Sequence, residues 1–258
     1  MEAAASPRAW QLVLARIEAD LRDGRISAGD RLAPERELAT QLGVGRSSVR
    51  EALRVLEVLG VIRTSTGSGP SSGAIIIATP RGGLSTLLRL QVAASGFPVD
   101  DVVRTRTLIE TASVDTLAAA PDRDTSTAHE LLDAMDATDL TTEEFLALDA
   151  RLHLSLVEAA GNIVVSAMME GLRDAIESYV SGLADTFPDW DAAVAGLRAE
   201  HRAIVAAVDA GDGSTAHRLV SEHIARYYAG ARRAGSGSPE PAPVPESESA
   251  PAEEAAPW

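Results

Sequence analysis

Three histidines of this chain sit in the middle of apolar helical stripes. His153 lies on Leu146, Asp149, His153, Leu156, Val157 and Ala160. His201 lies on Val194, Leu197, His201, Ile204, Val205 and Val208, and His223 on Ala216, Leu219, Val220, His223, Ile224 and Tyr227. Spacings of three and four residues put each stripe on one face of a helix, so each imidazole points into a core with its apolar neighbours. Asp149 and His153 are four apart and stack on the same face. Imidazole and carboxylate are ligands for borderline divalent metals, and one Asp with three His converging inside a helical bundle could hold one such ion. Taken singly, each histidine reads as an ordinary hydrogen-bonded core residue; for the three together, one with Asp at i−4, both readings stay open from spacing alone. His129 and His217 lie off the stripes and read as surface residues.

Arg106 is a further anomaly, on the stripe Val99, Val102, Arg106, Ile109, Ser113 and Leu117. An arginine facing a core must meet an anion. That anion is either a structural carboxylate such as Glu110 or the carboxylate of a bound ligand, held by the guanidinium fork. A second set of arginines lies near the N-terminus. Arg46, Arg50 and Arg54 recur every four residues on one face of a helix whose other face carries Val49, Ala52, Leu53, Leu56 and Leu59, with Ser47 and Ser48 at its start. Apolar residues that dock a helix, with Arg and Ser near its N-terminus, are what a DNA-reading helix requires. A plain helical hairpin with a solvated arginine face has the same period.

The elements that must position these groups follow from the pattern around them. Val13, Ile17 and Leu21 form the stripe of a first helix. A second helix runs from about Glu35 to Leu42 and a third from about Arg46 to Leu59, joined by Gly43-Val44-Gly45, a corner short enough for a helix-turn-helix. After Gly60, Val61–Arg63 and Ala74–Ala78 flank a Gly/Ser-rich turn and read as a two-stranded wing. Residues 98–231 show helical periodicity interrupted near Pro121, Gly161, Pro188 and Gly211–Gly213, giving about six helices, with one more at Gly83–Ser95. The expected fold is mainly α: an N-terminal winged helix-turn-helix over 6–80, a connecting helix over 81–97, and a C-terminal antiparallel all-α bundle of six to seven helices over 98–232. The Pro/Ser/Glu-rich acidic tail over 233–258 is expected to be disordered.

Composition bounds the function classes. The chain has 258 residues and no cysteine, which excludes disulfides and thiolate metal sites. No apolar run reaches the ~18–20 residues that cross a bilayer, and the first residues lack the basic start and apolar core of a signal peptide. A cytoplasmic protein that makes no membrane contact is expected. The formal charge of −15 is unevenly placed: residues 6–81 carry eleven Arg against eight acidic groups, whereas 82–258 carry twelve Arg against twenty-nine. A weakly basic head on an acidic body suits a protein whose head alone meets phosphate, although many enzymes are acidic too. All the basic residues are arginine.

Longer motifs carry a family resemblance. The run Gly29-Asp30-Arg31-Leu32-Ala33-Pro34-Glu35-Arg36-Glu37-Leu38-Ala39, followed by Leu42 to Leu53, Leu56-Glu57 and Leu59-Gly60, resembles the signature of GntR-family transcription regulators. The resemblance implies that Arg36, Arg46 and Arg50 contact DNA, that Ser47 and Ser48 bind phosphate, and that a wing glycine (Gly67 or Gly69) enters the minor groove. Ala33-Pro34 departs from the usual Pro-Ser/Ala order. Gly45 stands where a hydroxyl is usual, so one capping or phosphate-binding group is missing, but no arginine is lost.

Arg106-Thr107-Leu108-Ile109-Glu110, Phe145 through Asp149 with His153, Ala159-Ala160-Gly161-Asn162, Glu200-His201 and Glu222-His223 resemble the effector domain of the FadR-type branch. That resemblance implies one divalent metal per chain, zinc favoured and nickel possible, on Asp149, His153, His201 and His223. It also implies a small carboxylate effector assisted by Arg106, and a homodimer on an inverted-repeat operator in double-stranded DNA. The long wing from Ser65 to Gly73, Pro188-Asp189-Trp190 and Glu200-His201-Arg202-Ala203-Ile204 are similar to corynebacterial-type regulators of L-lactate utilisation, so L-lactate or another small hydroxy- or keto-acid is the leading effector. Repression relieved by ligand is the commoner behaviour in the family.

Two other classes remain to be weighed. In one, the metal is structural or is itself sensed, and the effector differs. In the other, the cluster serves a metal-dependent enzyme, but no His or Glu is placed as a separate general base, paired Glu-x-x-His motifs are absent, and the helix-turn-helix head would have no role. The chain therefore reads as a regulator and not an enzyme.

Overall fold

Val13 and Ile17, one turn apart, are fully buried against the third helix and fix how the N-terminal head is assembled. The computed structural model describes residues 8–65, 73–77, 80–94, 97–184 and 189–235. Gly67 and Gly69, Pro188 and the tail from 236 onward lie outside the described residues.

The head contains α1 (Ala9–Arg22), α2 (Glu35–Leu42), α3 (Arg46–Val58), β1 (Ile62–Ser65) and β2 (Gly73–Ile76). α2 ends at Gly43, whose φ of 63° is left-handed and whose N–H bonds the carbonyl of Ala39; a residue with a Cβ would be strained there. Val49, Ala52, Leu53 and Leu56 of α3 are buried, and with Val13, Ile17, Leu32, Leu38, Ile62 and Ile76 they form the head's own core. Burying one such aliphatic side chain stabilises by roughly 1.5–3 kcal/mol, so this small core suffices to dock α3 with its arginine face outward. β1 and β2 pair antiparallel with Ile62 opposite Ile76 and Ser65 opposite Gly73. Sequence reading did not anticipate that Gly29–Leu32 extends this hairpin: Gly29 N–H bonds the Ile76 carbonyl at 2.8 Å, Ile76 N–H that of Asp30 at 2.9 Å, and Leu32 N–H that of Ala74 at 2.9 Å. The segment is polar and lacks strand periodicity; its backbone alone does the pairing.

α4 (Pro80–Ala93) connects head and body, opening on a proline, whose missing N–H costs nothing in a first turn. The body comprises α5 (Val99–Ala119), α6 (Ser126–Met135), α7 (Thr142–Ala159), α8 (Ile163–Ala184), α9 (Trp190–Asp209) and α10 (Gly213–Gly235). α6 packs on α7, α7 on α8, and α9 on α10, while α10 returns against α5 to close the bundle. Local signals set the starts. Thr141 and Glu144 form a capping box at α7, and the Asp189 side chain accepts from Ala192 N–H at α9. The bundle core is built on Leu117, Met135, Phe145, Leu152, Ile204 and Ile224. Arg198 fastens α9 to the end of α6, donating to the carbonyls of Met135 at 2.6 Å and Ala137 at 2.9 Å, where exposed carbonyls and the helix dipole favour a cation. Among the described residues, no helix is long and apolar enough to cross a membrane.

Candidate metal centre

Three helices bring the cluster together. α7 supplies Asp149 and His153, α9 supplies His201 and α10 supplies His223; the three histidines are buried and Asp149 is nearly so. One ligand atom from each of the four lies within 4.8 Å of the others. Asp149 Oδ1 is 3.1 Å from His201 Nε2 and 3.9 Å from His153 Nε2, and His153 Nε2 is 3.2 Å from His223 Nε2. A tetrahedral set of donors at about 2.0–2.1 Å from an ion stands about 3.3 Å apart, the same scale as these separations.

The outer nitrogens explain why the inner ones face one another. His153 Nδ1 is 2.6 Å from Glu110 Oε2, and His223 Nδ1 is 2.8 Å from Glu200 Oε2. An ionised carboxylate only accepts, so each Nδ1 carries the proton and, in the neutral ring, each Nε2 presents a lone pair. Two lone pairs 3.2 Å apart repel unless a cation lies between them. Both ring nitrogens of His201 are buried and make no well-directed hydrogen bond, despite the short approach of Nε2 to Asp149. A buried polar atom left unpaired costs about 1–3 kcal/mol, and a metal would remove the cost at Nε2. The donor set, three imidazoles and a carboxylate, suits zinc or nickel by its chemistry.

Electrostatics around the centre favour the ligand-ready protonation states. Burial drives His223 down to about 4, against the opposing pull of Glu200, so the ring is neutral near pH 7. Burial would raise Asp149, but His201, His153 and His223 outweigh it and hold the carboxyl well below its ordinary range. Burial likewise opposes ionisation of Glu110, yet Arg106 and His153 hold it down to about 2.

Arg106 Nε lies 2.5 Å from Glu110 Oε1, and both side chains are buried. Glu110 therefore touches Arg106 with one oxygen and His153 with the other, joining the two anomalies of the sequence into one network. Arg106 also lines a small cavity with Asp149, His153, His223, Arg173 and Tyr227. Three of the four cluster residues thus face the cavity, and His201 is not part of its lining. Sequence reading did not single out Glu200, Arg173 or Tyr227 for this site, nor Glu110 as a histidine partner. Glu200 stands next to His201, and Arg173 is one turn past the buried Met169; these were the available signals.

The predicted surface histidines are exposed, His129 against Asp209 at 2.9 Å and His217 against Asp115 at 2.7 Å. In the head, Arg36, Arg46, Ser47, Arg50 and Arg54 are exposed and Ser48 is half-buried. Gly45 precedes α3 without any side-chain cap. Arg50 donates to both oxygens of Glu35, from Nε at 3.2 Å and from Nη2 at 2.8 Å. Glu57 accepts from Thr64 N–H at 2.9 Å and tethers the wing to α3.

Residues 11–70 match the family model described as bacterial regulatory proteins, gntR family, and residues 101–226 match the FCD domain. The chain belongs to the gntR family of bacterial regulatory proteins. Its FCD domain spans the bundle that carries the cluster, and FCD domains bind metals. A protein of Escherichia coli named for regulation of the L-lactate dehydrogenase operon is 28% identical over 220 residues, 84% of each chain. The Bacillus subtilis transcriptional regulator LutR is 26% identical, covering 79% of this chain and 92% of its own. The solved structure of a Streptococcus agalactiae GntR protein shares the fold, with a TM-score of 0.52 at 21% identity over 85% of this chain and 98% of that one. This gntR-family member is a transcription regulator and not an enzyme; its gntR-type head implies DNA binding and its FCD domain implies a small-molecule effector.

Proposed function

We propose that this chain is a dimeric repressor that releases its operator when a small carboxylate, L-lactate favoured, enters the cavity beside a metal held by Asp149, His153, His201 and His223. The observation that carries the reading is the inward-facing donor set, with Nε2 of His153 and His223 3.2 Å apart and the ring of His201 without a directed partner. One divalent ion per chain fits these donors, zinc favoured and nickel possible. When bound, it supplies a Lewis-acidic coordination position for a carboxylate or hydroxyl oxygen. The protein's own groups do the rest. Glu110 and Glu200 fix the tautomers of His153 and His223. Arg106 and Arg173 line the cavity as cations and favour an anion. The name of the Escherichia coli relative supports L-lactate as the first acid to test.

In the head, Arg36, Arg46 and Arg50 would meet bases and phosphates, Ser47 and Ser48 the phosphate backbone, and Gly67 or Gly69 the minor groove. One such helix reads only a few base pairs, so two copies on an inverted repeat match protein symmetry to operator symmetry. Effector binding would reach the head through α8, which carries Met169 and Arg173 at the cavity and packs along α4, whose first turn abuts the end of α3. Moving an operator from 99% to 1% occupancy takes roughly 5.5 kcal/mol of differential binding. A carboxylate bonded to both a metal and a desolvated arginine is a source of that order.

Two substitutions separate the functions. Arg50→Ala is expected to weaken operator binding at least tenfold while leaving acid binding intact, and Arg106→Ala the reverse, giving a repressor that acid does not release. Gel-shift and calorimetric titrations read both; equal loss of both functions in either variant would contradict the division. A second reading, with the metal structural or itself sensed, draws on one observation: Arg106 already bonds Glu110. An organic acid that leaves DNA affinity unchanged in metal-saturated protein would favour it.

A further inference from the structure

Arg50 is the only one of the predicted DNA-contacting arginines for which a directed side-chain hydrogen bond is seen among the described residues, and its partner is an acid on another helix. Glu35 is the first residue of α2, fifteen positions upstream of Arg50. Its two oxygens take Nε–H at 3.2 Å and Nη2–H at 2.8 Å, so the pairing is side-on and two-pronged. A guanidinium has five N–H groups in a planar fork. With the Nε side engaged, the end-on edge, Nη1–H and the outer Nη2–H, points away from Glu35 as a two-donor fork. That edge matches O6 and N7 of guanine in the major groove.

The charge of Glu35 argues against an affinity role. An acidic group on a DNA-facing surface repels phosphate and lowers binding to every sequence. Its place at the first turn of α2 is favourable, since the dipole stabilises an anion there, and Arg50, its closest hydrogen-bond partner, holds its carboxyl below the ordinary range. Arg50 is 54% exposed and Glu35 30%, so the pair adds little to stability. What it does is remove rotamer freedom from a long side chain before DNA arrives.

We propose that Glu35 is a specificity-determining positioning residue: it clamps Arg50 side-on so that the free end of the guanidinium reads one base pair. The proposal rests on the assignment of Arg50 to the DNA-reading face. A clamped fork discriminates by geometry, whereas a free arginine swings to the nearest phosphate and discriminates little.

The test is selection of bound duplexes from a random-sequence DNA pool by the full-length protein, followed by sequencing, for wild type, Glu35→Gln and Arg50→Ala. Wild type is expected to enrich an inverted-repeat motif. Arg50→Ala should flatten the preference at one base pair in each half-site. Glu35→Gln should reduce the preference at that same pair by about tenfold, keep the other positions, and bind the unselected pool at least as well as wild type. Glu35→Asp, which keeps the charge but is one methylene too short to reach the guanidinium in this position, should lose preference at the same pair, and it carries the test if Glu35→Gln does not fold. An unchanged motif in the Glu35 variants would overturn the proposal. So would an even loss at all positions together with a lower melting temperature, which would mark Glu35 as structural. If wild type enriches no motif, the DNA-reading assignment itself falls, an outcome distinct from either.

Discussion

Glu200 reaches His223 Nδ1 with one oxygen and the Arg226 guanidinium with the other, so the histidine's orientation depends on a side chain that is not itself in the cluster. Removing the charge while keeping the shape leaves His223 free to take the other tautomer, with its proton on the nitrogen that faces the ion. Glu200→Gln is therefore expected to weaken metal binding about 10–100-fold with little change in fold, as read by competition with a chromogenic chelator. Unchanged affinity would mean that His223 is oriented by packing alone. Much of this site can be read from sequence, because burial of a histidine on an apolar stripe is a property of one helix and its period. The carboxylate partners are harder to see. Glu110 meets His153 across 43 residues and Glu200 meets His223 across 23, and no periodicity within a helix encodes which neighbouring helix will lie opposite. Arg106 shows both sides of this limit: Glu110, four residues along its own helix, is a partner that the sequence offers, but only the assembled bundle places Glu110 between Arg106 and His153.

In the proposed mechanism α8 and α4 would transmit the change, and glycines set how closely α4 approaches α8 and the end of α3. A Cβ on Gly171 of α8 would lie 2.8 Å from Leu88 Cδ1 and 2.9 Å from Ser85 Cα of α4; one on Gly83 would lie 2.1 Å from the Leu59 carbonyl oxygen, at the end of α3. Backbone cannot yield as a flexible side chain can, so Gly83→Ala must displace α4 from the head, and Gly171→Ala must separate α4 from the body. Overpacking of this kind costs about 1–3 kcal/mol. The expected outcome is a lower melting temperature in both variants, retained metal content, and a reduced effect of L-lactate on operator affinity. A full acid response in both would remove α4 from the route. The sequence predicts a helix here from Gly83 onward, whereas α4 opens at Pro80. Gly82-Gly83 reads locally as a breaker, and only the proximity of Leu59 explains why a glycine is placed inside the first turn.

At the scale of the whole molecule, the charge is partitioned to match the two tasks, with a head slightly rich in arginine and a body rich in acid. The body's acidity disfavours contact with phosphate, while inside the bundle the cavity beside the cluster is lined by two arginines. Fold class and element order follow from periodicity and turn residues, because both domains are mostly helical and each helix declares its buried face. The central claim is that the buried Asp-His cluster binds a metal, and metal analysis of protein purified without chelator tests it most directly, with a His201→Ala/His223→Ala double variant alongside. The account predicts about one zinc or nickel ion per chain, lost in the double variant while the DNA-binding head still folds. Protein that carries no metal, and takes up none on titration, would contradict it and return the three histidines to core packing.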